Sequence, residues 1–406
     1  MAYHLFEVFG IELEYMVVDS SSLKVRPIVD KLLTAKNGSL TSDIDNGAIE
    51  WSNELVAHVV ELKTNGPTQE LDSLAELFHE NILEMNKLLE VFNAALLPTA
   101  SHPLMNPATE MELWKHSYSK IYALYNRIFD CKGHGWSNVQ SMHINLPFNN
   151  DTEFEKLHAA IRVILPIIPG LSASSPIFEG KNTGFKDARM EVYKTNQKEI
   201  PVMAAKVIPE QVFSKSDYYK TIFEPINSAI KPYDTENILD HHFLNSRGAI
   251  ARFDRNAIEI RVIDIQECPK ADIAIAVLVI KVLKYFVAEK SASLVEQKSW
   301  HENDLFDILN AVIKTGEDTT IYNEEYLSLF GIKTASTVQQ IWKTLYTEVK
   351  DTISENYREA LEIILTEGTL STRILKAIQG DYSQNSIHNV YRQLGRSLET
   401  NTLFTP

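Results

Sequence analysis

The chain has 406 residues, 44% hydrophobic and 23% charged, an ordinary balance for a folded protein with ample length for a large core. A net charge of −15 argues against nucleic acid and anionic membrane as principal partners. Cys131 and Cys268 form no disulfide framework or metal spacing, no signal peptide precedes the first strand pattern, and the longest apolar run, Ile273 to Ile280, is too short to span a bilayer, so the expected location is the cytoplasm.

The stretch from Phe6 to Val18 reads as a β-strand. Side chains alternate across a strand, so Phe9, Ile11, Leu13, Tyr15 and Val17 share one apolar face. Val8, Gly10, Glu12, Glu14, Met16 and Val18 share the other. Glu12 and Glu14 then stand about 6–7 Å apart in an otherwise apolar row. Buried carboxylates are costly and these two repel. A divalent cation relieves both costs, because Mg²⁺ and Mn²⁺ take oxygen ligands; a face open to water would leave both merely solvated.

Residues 27–36 read as a short proline-started helix ended by Asn37-Gly38, and Asp45-Asn46-Gly47 as a turn between extended stretches. In the next extended stretch, 49–64, Val60 and Leu62 oppose Glu61 and Lys63. Glu54 and Glu61 are an odd number of residues apart, so bringing both to one face needs a bulge or bend. Thr68 to Phe92 is an amphipathic helix, and Leu96 to Thr99 a short buried strand. Residues 110–129 read as a helix whose stripe of Trp114, Tyr118, Tyr122, Tyr125 and Phe129 has core spacing. In Val139 to Pro147, Met142, Ile144 and Leu146 face one way, and His143 and Asn145 the other. Glu155 to Ile168 is an apolar helix. The Ser172-to-Tyr193 segment is rich in Gly, Ser, Lys and Arg, a composition suited either to phosphate or carboxylate recognition or to a plain surface connection. Short helices are expected near 208–212 and 216–229. Ala249 to Phe253 and Ala257 to Asp264 form a hairpin that sets Glu259 and Arg261 opposite Ile258, Ile260 and Val262. From Pro269 onward the spacing predicts helices over 270–288, 301–315, 335–350, 353–366, 369–379 and 385–398.

Four strands thus share one design: an apolar face, and an opposite face bearing Glu12 and Glu14, Glu61, His143 and Asn145, or Glu259 and Arg261. This predicts an α+β fold, with an antiparallel sheet whose concave face holds the site, helices packed on its other face, and a helical C-terminal third. One catalytic domain is expected over 1–406, with a sheet-forming core in 1–268 and helical cover in 269–406. Carboxylates, one histidine and arginine fit ATP with two or three Mg²⁺ (or Mn²⁺) ions.

The motifs also resemble a known family. Gly10-Ile11-Glu12-Leu13-Glu14-Tyr15 is similar to the opening signature of the type 2 glutamate–cysteine ligases, carboxylate–amine ligases of the glutamine synthetase superfamily. Glu54-Leu55 with Val60-Glu61-Leu62-Lys63-Thr64, Met142-His143-Ile144-Asn145, Ser172-Ala173-Ser174-Ser175-Pro176 with Glu179-Gly180, Thr183-Gly184 and Arg189, and Ile258-Glu259-Ile260-Arg261-Val262-Ile263-Asp264 resemble its later motifs, in order. The resemblance implies a glutamine synthetase catalytic-domain-like fold. It implies that Glu12, Glu14, Glu54, Glu61, His143 and Glu259 hold Mg²⁺ around ATP, that Arg261 contacts the γ-phosphate, and that Arg189 and Arg247 hold a substrate carboxylate or acyl phosphate. Asn145, expected with Arg261 and Arg247 among the residues that bind the nucleotide cofactor, stands where the family carries a second histidine, which leaves the set of metal ligands or substrate contacts there open; no Arg/Asn-rich motif is evident in the C-terminal third, so the amine stays open. The implied reaction joins an amino-acid carboxylate to an amine through an acyl phosphate, with a homo-oligomer possible. A phosphotransferase stopping at a phosphorylated product, a metal-dependent hydrolase and a non-catalytic Mg–ATP-binding homologue are the alternative readings.

Overall fold

The computed structural model describes residues 3–406. The first pattern becomes strand β1, Gly10–Asp19. It starts later than the alternation suggests because Phe6 turns the chain at φ 61° and Phe9 bridges Thr68 instead. Strands β2 (Asp43–Asn46) and β3 (Ile49–Asn53) flank Gly47, whose φ of 76° is open to glycine at little cost. Next come β4 (Val59–Thr64), β5 (Ala94–Leu97) and β6 (Ser141–Pro147). A two-residue ladder of β7 (Ile177–Phe178) and β8 (Lys181–Asn182) stands apart. The expected hairpin is β9 (Ala249–Arg252) and β10 (Ala257–Asp264).

The main sheet has eight strands in the order β2-β3-β4-β1-β6-β10-β9, with β5 also on β1. Every pair in it is antiparallel. Its apolar face carries Ile11, Leu13, Tyr15, Trp51, Val60, Leu62, Met142, Ile144, Leu146, Ile258 and Ile260, all fully buried. Each large aliphatic side chain buried this way contributes roughly 1.5–3 kcal/mol, so this face fixes the register and leaves the other free to carry charge. Helix Pro269–Val287 packs against helices Leu74–Leu89 and Asp151–Ile164 in the layer beneath. Ile273 to Ile280 are buried on every side of it, which is why that run lacks a polar stripe. Among the described residues no helix is long and apolar enough to cross a membrane.

The C-terminal third does more than cover that layer. Met16 and Val18, on the face of Glu12 and Glu14, pack with Leu370 and Ile374 of helix Leu370–Ile378 and with Ile387 and Val390 of helix Gln384–Thr400. One end of the polar face is therefore roofed. The tail is anchored there: Glu267 accepts from the Phe404 amide at 3.1 Å and from Arg373, and the Arg373–Glu267 pair is fully buried.

Three local expectations change. Residues 49–64 are a hairpin, not one bent strand: the chain reverses at 54–58, where Ala57 donates to Glu112 and His58 accepts from Val17. Residues 208–212 are irregular rather than helical. The helix expected over 110–129 spans only Ser119–Phe129.

Candidate active site

Register brings the polar side chains together. Glu12 on β1 lies between His143 on β6 and Lys63 on β4. Glu14 lies directly opposite Glu61, and Glu259 opposite Asn145. Like charges facing each other across an antiparallel pair are destabilising, so the Glu14–Glu61 pairing needs a compensating positive charge. The hairpin reversal sets Glu54 just past β3, beside the same cluster, which resolves the parity conflict with Glu61. These residues floor a cavity of about 1050 Å³ that also takes in Arg189, Arg252 and Arg261.

Glu12 accepts from His143 Nδ1 at 2.8 Å and from Asn145 Nδ2 at 2.9 Å. Burial favours its protonated form, but those bonds and the Arg261 charge outweigh burial and lower its pKa to about 2. Burial would drain His143 of its proton; the bond to Glu12 and the charges of Glu14 and Glu259 reverse that and raise its pKa. Asn145 is therefore a neighbour that aims Glu12. Gly10 faces it across the strand pair, and a Cβ there would meet the Asn145 Cβ at 3.0 Å. Glu14 accepts from the Ser141 amide at 2.7 Å and the Ser141 hydroxyl at 3.1 Å. Glu61 accepts from Ser52 at 2.7 Å and Lys63 at 3.2 Å, yet burial and the Glu12 charge raise its pKa to about 7. Burial, with Glu61 and Glu14 nearby, pushes Glu54 well above the carboxylate range.

Two overlapping groups offer ligand atoms within 4.8 Å of one another: Glu12, His143 and Glu259, and Glu14, Glu61 and His143. Carboxylate oxygens and an imidazole nitrogen suit Mg²⁺ or Mn²⁺. The residues present fit such ions, and the raised proton affinities of Glu54 and Glu61 are what an uncompensated acidic cluster produces. Asp240, His241 and His242 also converge, and Asp240 and His242 of these line the cavity. There Asp240 accepts from the His242 amide at 2.7 Å and ring at 2.8 Å, the work of a helix N-cap.

The arginines divide. Arg261 reaches the cavity and bonds Glu259. Arg189 lines the cavity with its Nε on Asp264 at 2.5 Å and its Nη2 on the Arg261 carbonyl at 3.2 Å, and among the described residues Nη1 has no hydrogen-bond partner. Asp264, fully buried, also accepts from the Ser174 amide and the Ser175 hydroxyl, both at 2.8 Å. Arg247 lies outside the cavity: both arms of its fork bond Glu210 at 2.6 Å, so the expectation that it holds a substrate or phosphate is corrected. The Ser172-to-Tyr193 segment is corrected in part. Arg189 and Tyr193 reach the cavity, whereas Ser174 and Ser175 turn to Asp264, and Glu179 and Gly180 line a separate depression.

The sequence alone did not disclose the aromatic part of the lining. Tyr118, Tyr122, Tyr125, Trp136, Tyr193 and Phe243 line the cavity. The 114–129 aromatic stripe, read as core, is core only in part: Trp114 and Phe129 are buried away from the cavity, Tyr125 is buried at its wall, and Tyr118 is 54% exposed. Helical periodicity reports a face and does not say whether protein or a cavity lies against it.

Comparison with known proteins agrees with this architecture. The sequence model described as glutamate-cysteine ligase family 2 matches residues 8–393. An uncharacterized protein of Archaeoglobus fulgidus is 30% identical over 98% of this chain and all of its own length. A putative glutamate–cysteine ligase 2 of a Bradyrhizobium species (strain BTAi1) is 25% identical over 66% of this chain and 59% of its own length. In fold, the chain is similar to the glutamate–cysteine ligase of Francisella tularensis, solved in complex with AMP: the TM-score is 0.64 at 14% identity, over 98% of this chain and 90% of that one. It is also similar in fold to a bifunctional glutathione synthetase of Pasteurella multocida, with a TM-score of 0.60 at 12% identity, over 97% of this chain and 53% of that one. With a family match across nearly its whole length, the chain belongs to glutamate-cysteine ligase family 2.

Proposed function

We propose that the protein is an ATP-dependent carboxylate–amine ligase of the glutamate–cysteine ligase kind, requiring Mg²⁺ or Mn²⁺ and acting on small molecules. The observation that carries this reading is the pair of overlapping carboxylate–imidazole groups on one concave face, with Arg261 beside them. Family membership and the AMP complex of the Francisella ligase lend support. Glu12, His143 and Glu259 would hold one divalent ion and Glu14, Glu61 and His143 a second, with Glu54 at their edge. Such ions, when bound, neutralise phosphate charge and polarise the transferring group.

The chain's own residues supply the rest. Arg261, steadied by Glu259, stabilises charge on the phosphoryl group in transit. Arg189, fixed from behind by Asp264, presents Nη1 to the substrate carboxylate. The γ-phosphoryl group of ATP passes to an oxygen of that carboxylate, the γ-carboxylate of glutamate in this reading, and ADP leaves. The amine nitrogen then bonds to the acyl carbon, the bond from carbon to the phosphate oxygen breaks, and the amine proton departs with phosphate. Positioning and charge complementarity carry most of the acceleration.

The test is phosphate release from Mg–ATP by purified protein, with and without L-glutamate, across a panel of amines including L-cysteine, with hydroxylamine as a trap. Release requiring an acid and an amine, together with a glutamyl hydroxamate, supports the ligase. Phosphate release that ignores both co-substrates would remove it.

A further inference from the structure

Arg189 is set in place by a second layer of buried groups, and that layer holds two acids against one cation. Asp264, fully buried, accepts three hydrogen bonds: Oδ1 takes Arg189 Nε at 2.5 Å, and Oδ2 takes the Ser174 amide and the Ser175 hydroxyl, each at 2.8 Å. Ser175 in turn accepts from the Arg189 amide at 3.0 Å. An ionised carboxylate has about four lone-pair sites, so one on Asp264 is left for a further donor.

The second acid is Asp187, also fully buried. It caps helix Ala188–Tyr193, with Oδ1 accepting from the Met190 amide at 2.8 Å. Its Oδ2 is buried and meets no donor among the described residues. Instead the carboxyl lies within hydrogen-bond reach of Asp264. The surrounding elements bring it no second cation. Lys186 turns to Thr372 and is 3.7 Å from Asp318. Helix Glu302–Thr315 presents carbonyls: Ile313 accepts from the Asp187 amide and Lys314 from the Lys186 amide, both at 3.1 Å. Arg189 is the cation that reaches the pair, and Glu14 acts on that same Arg189. Two carboxylates in contact do not both ionise beside one cation. Asp264 holds three donors and Asp187 one, which leaves the charge on Asp264 and the proton on Asp187. Burial first, then the Asp264 charge, push Asp187 well above the carboxylate range, in agreement with this.

Resting on the ligase reading above, we propose that Asp187 is a positioning residue that works as a neutral carboxylic acid: its Oδ2–H donates to Asp264 and fixes that carboxylate, which in turn holds the Arg189 fork toward the substrate carboxylate.

The test compares intact wild type, Asp187→Asn and Asp187→Ala. Asparagine keeps an oxygen for the Met190 amide and offers Asp264 an N–H without charge at any pH, whereas alanine removes both. Phosphate release from Mg–ATP with L-glutamate and hydroxylamine gives kcat and KM. The expected KM for L-glutamate is within ~3-fold of wild type in Asp187→Asn and raised ~10-fold or more in Asp187→Ala, with a smaller change in kcat, the scale of one hydrogen bond to a charged group. The proton is read without substrate, by ¹³C NMR of protein labelled at the aspartate side-chain carboxyl. The resonance that disappears in Asp187→Asn should sit at the position of a protonated acid and stay there across neutral pH.

A resonance of an ionised carboxylate overturns the inference. So does an Asp187→Asn protein as impaired in KM as Asp187→Ala, or an Asp187→Ala protein with the wild-type KM. If Asp187→Ala does not fold, the resonance and the Asp187→Asn kinetics decide. The two readings fail separately: a wild type silent with L-glutamate removes the ligase and leaves Asp187 to be judged by its resonance, whereas an ionised Asp187 in an active enzyme removes the positioning role alone.

Discussion

Replacing Glu61 with glutamine should stabilise the metal-free protein while weakening its response to divalent ions. Glu61 is buried, directly opposite Glu14, and its pKa is raised from 4.5 to about 7 by burial first and the Glu12 charge second. An acid whose pKa rises on folding holds more protons folded than unfolded. The penalty is therefore absent below pH 4.5, grows as pH rises toward 7, and is full above it. A shift of this size corresponds to about 3 kcal/mol at pH 8. Glutamine keeps an oxygen for Ser52, whereas Lys63 loses one of its two carboxylates and retains Glu50 at 3.2 Å. That loss offsets part of the gain, leaving roughly 1–2 kcal/mol. The assay is urea unfolding of wild type and Glu61→Gln in EDTA at pH 5 and pH 8, repeated at pH 8 with Mn²⁺. The variant should unfold at higher urea at pH 8, differ by less than about 1 kcal/mol at pH 5, and gain less from Mn²⁺ than wild type does. A variant less stable than wild type at pH 8 in EDTA would refute the reasoning, because Glu61 would then be a satisfied structural residue.

Asp264→Asn breaks the fully buried pair with Arg189 and should cost about 3–5 kcal/mol; among molecules that remain folded, KM for the acid substrate should rise more than kcat falls, and an unchanged KM would detach Arg189 from the substrate. Gly10→Ala places a methyl 3.0 Å from the Asn145 Cβ; about 1–3 kcal/mol of overpacking cost is expected, with weaker Mn²⁺ binding by titration because Asn145 aims Glu12. His58 and His102 are buried neutral, each lowered by burial from 6.5 to about 4, so folding stability should fall as pH drops from 6.5 toward 4, by about 2 kcal/mol for each at pH 5. His102→Gln should flatten the dependence of the urea midpoint on pH over that range, and an unchanged slope would contradict the assignment.

Period-two alternation made the sheet legible, because the apolar face of each strand admits one register only. Glu12, Glu14, His143, Glu259 and Arg261 could be placed on one face before any coordinates, since each lies within a strand whose other face is continuous hydrocarbon. Glu54 could not be placed that way, because it lies in a reversal that parity cannot describe. Arg189 and Arg247 were indistinguishable as arginines in loop-rich segments; only the placement of Asp264 and Glu210 decides which one faces the cavity. The aromatic wall was hidden because Tyr118, Tyr122 and Tyr125 recur at the spacing of core residues. The roof formed by helices Leu370–Ile378 and Gln384–Thr400 was equally hidden: Met16 and Val18 continue the parity of Glu12 and Glu14, and local pattern carries no sign that distant helices cover them.

The central claim is that this concave face passes the γ-phosphoryl group of ATP to a carboxylate. Positional isotope exchange tests it without any amine. ATP labelled with ¹⁸O in the β,γ-bridge is incubated with protein and Mg²⁺, with and without L-glutamate. The account predicts scrambling of the bridge label into the non-bridging β-phosphate positions when L-glutamate is present, none without it, and loss of scrambling in Glu12→Gln, whose fold should survive because Glu12 lies on the cavity side of the sheet. Scrambling that persists in Glu12→Gln, or that never appears with L-glutamate although Mg–ATP binds, would contradict it.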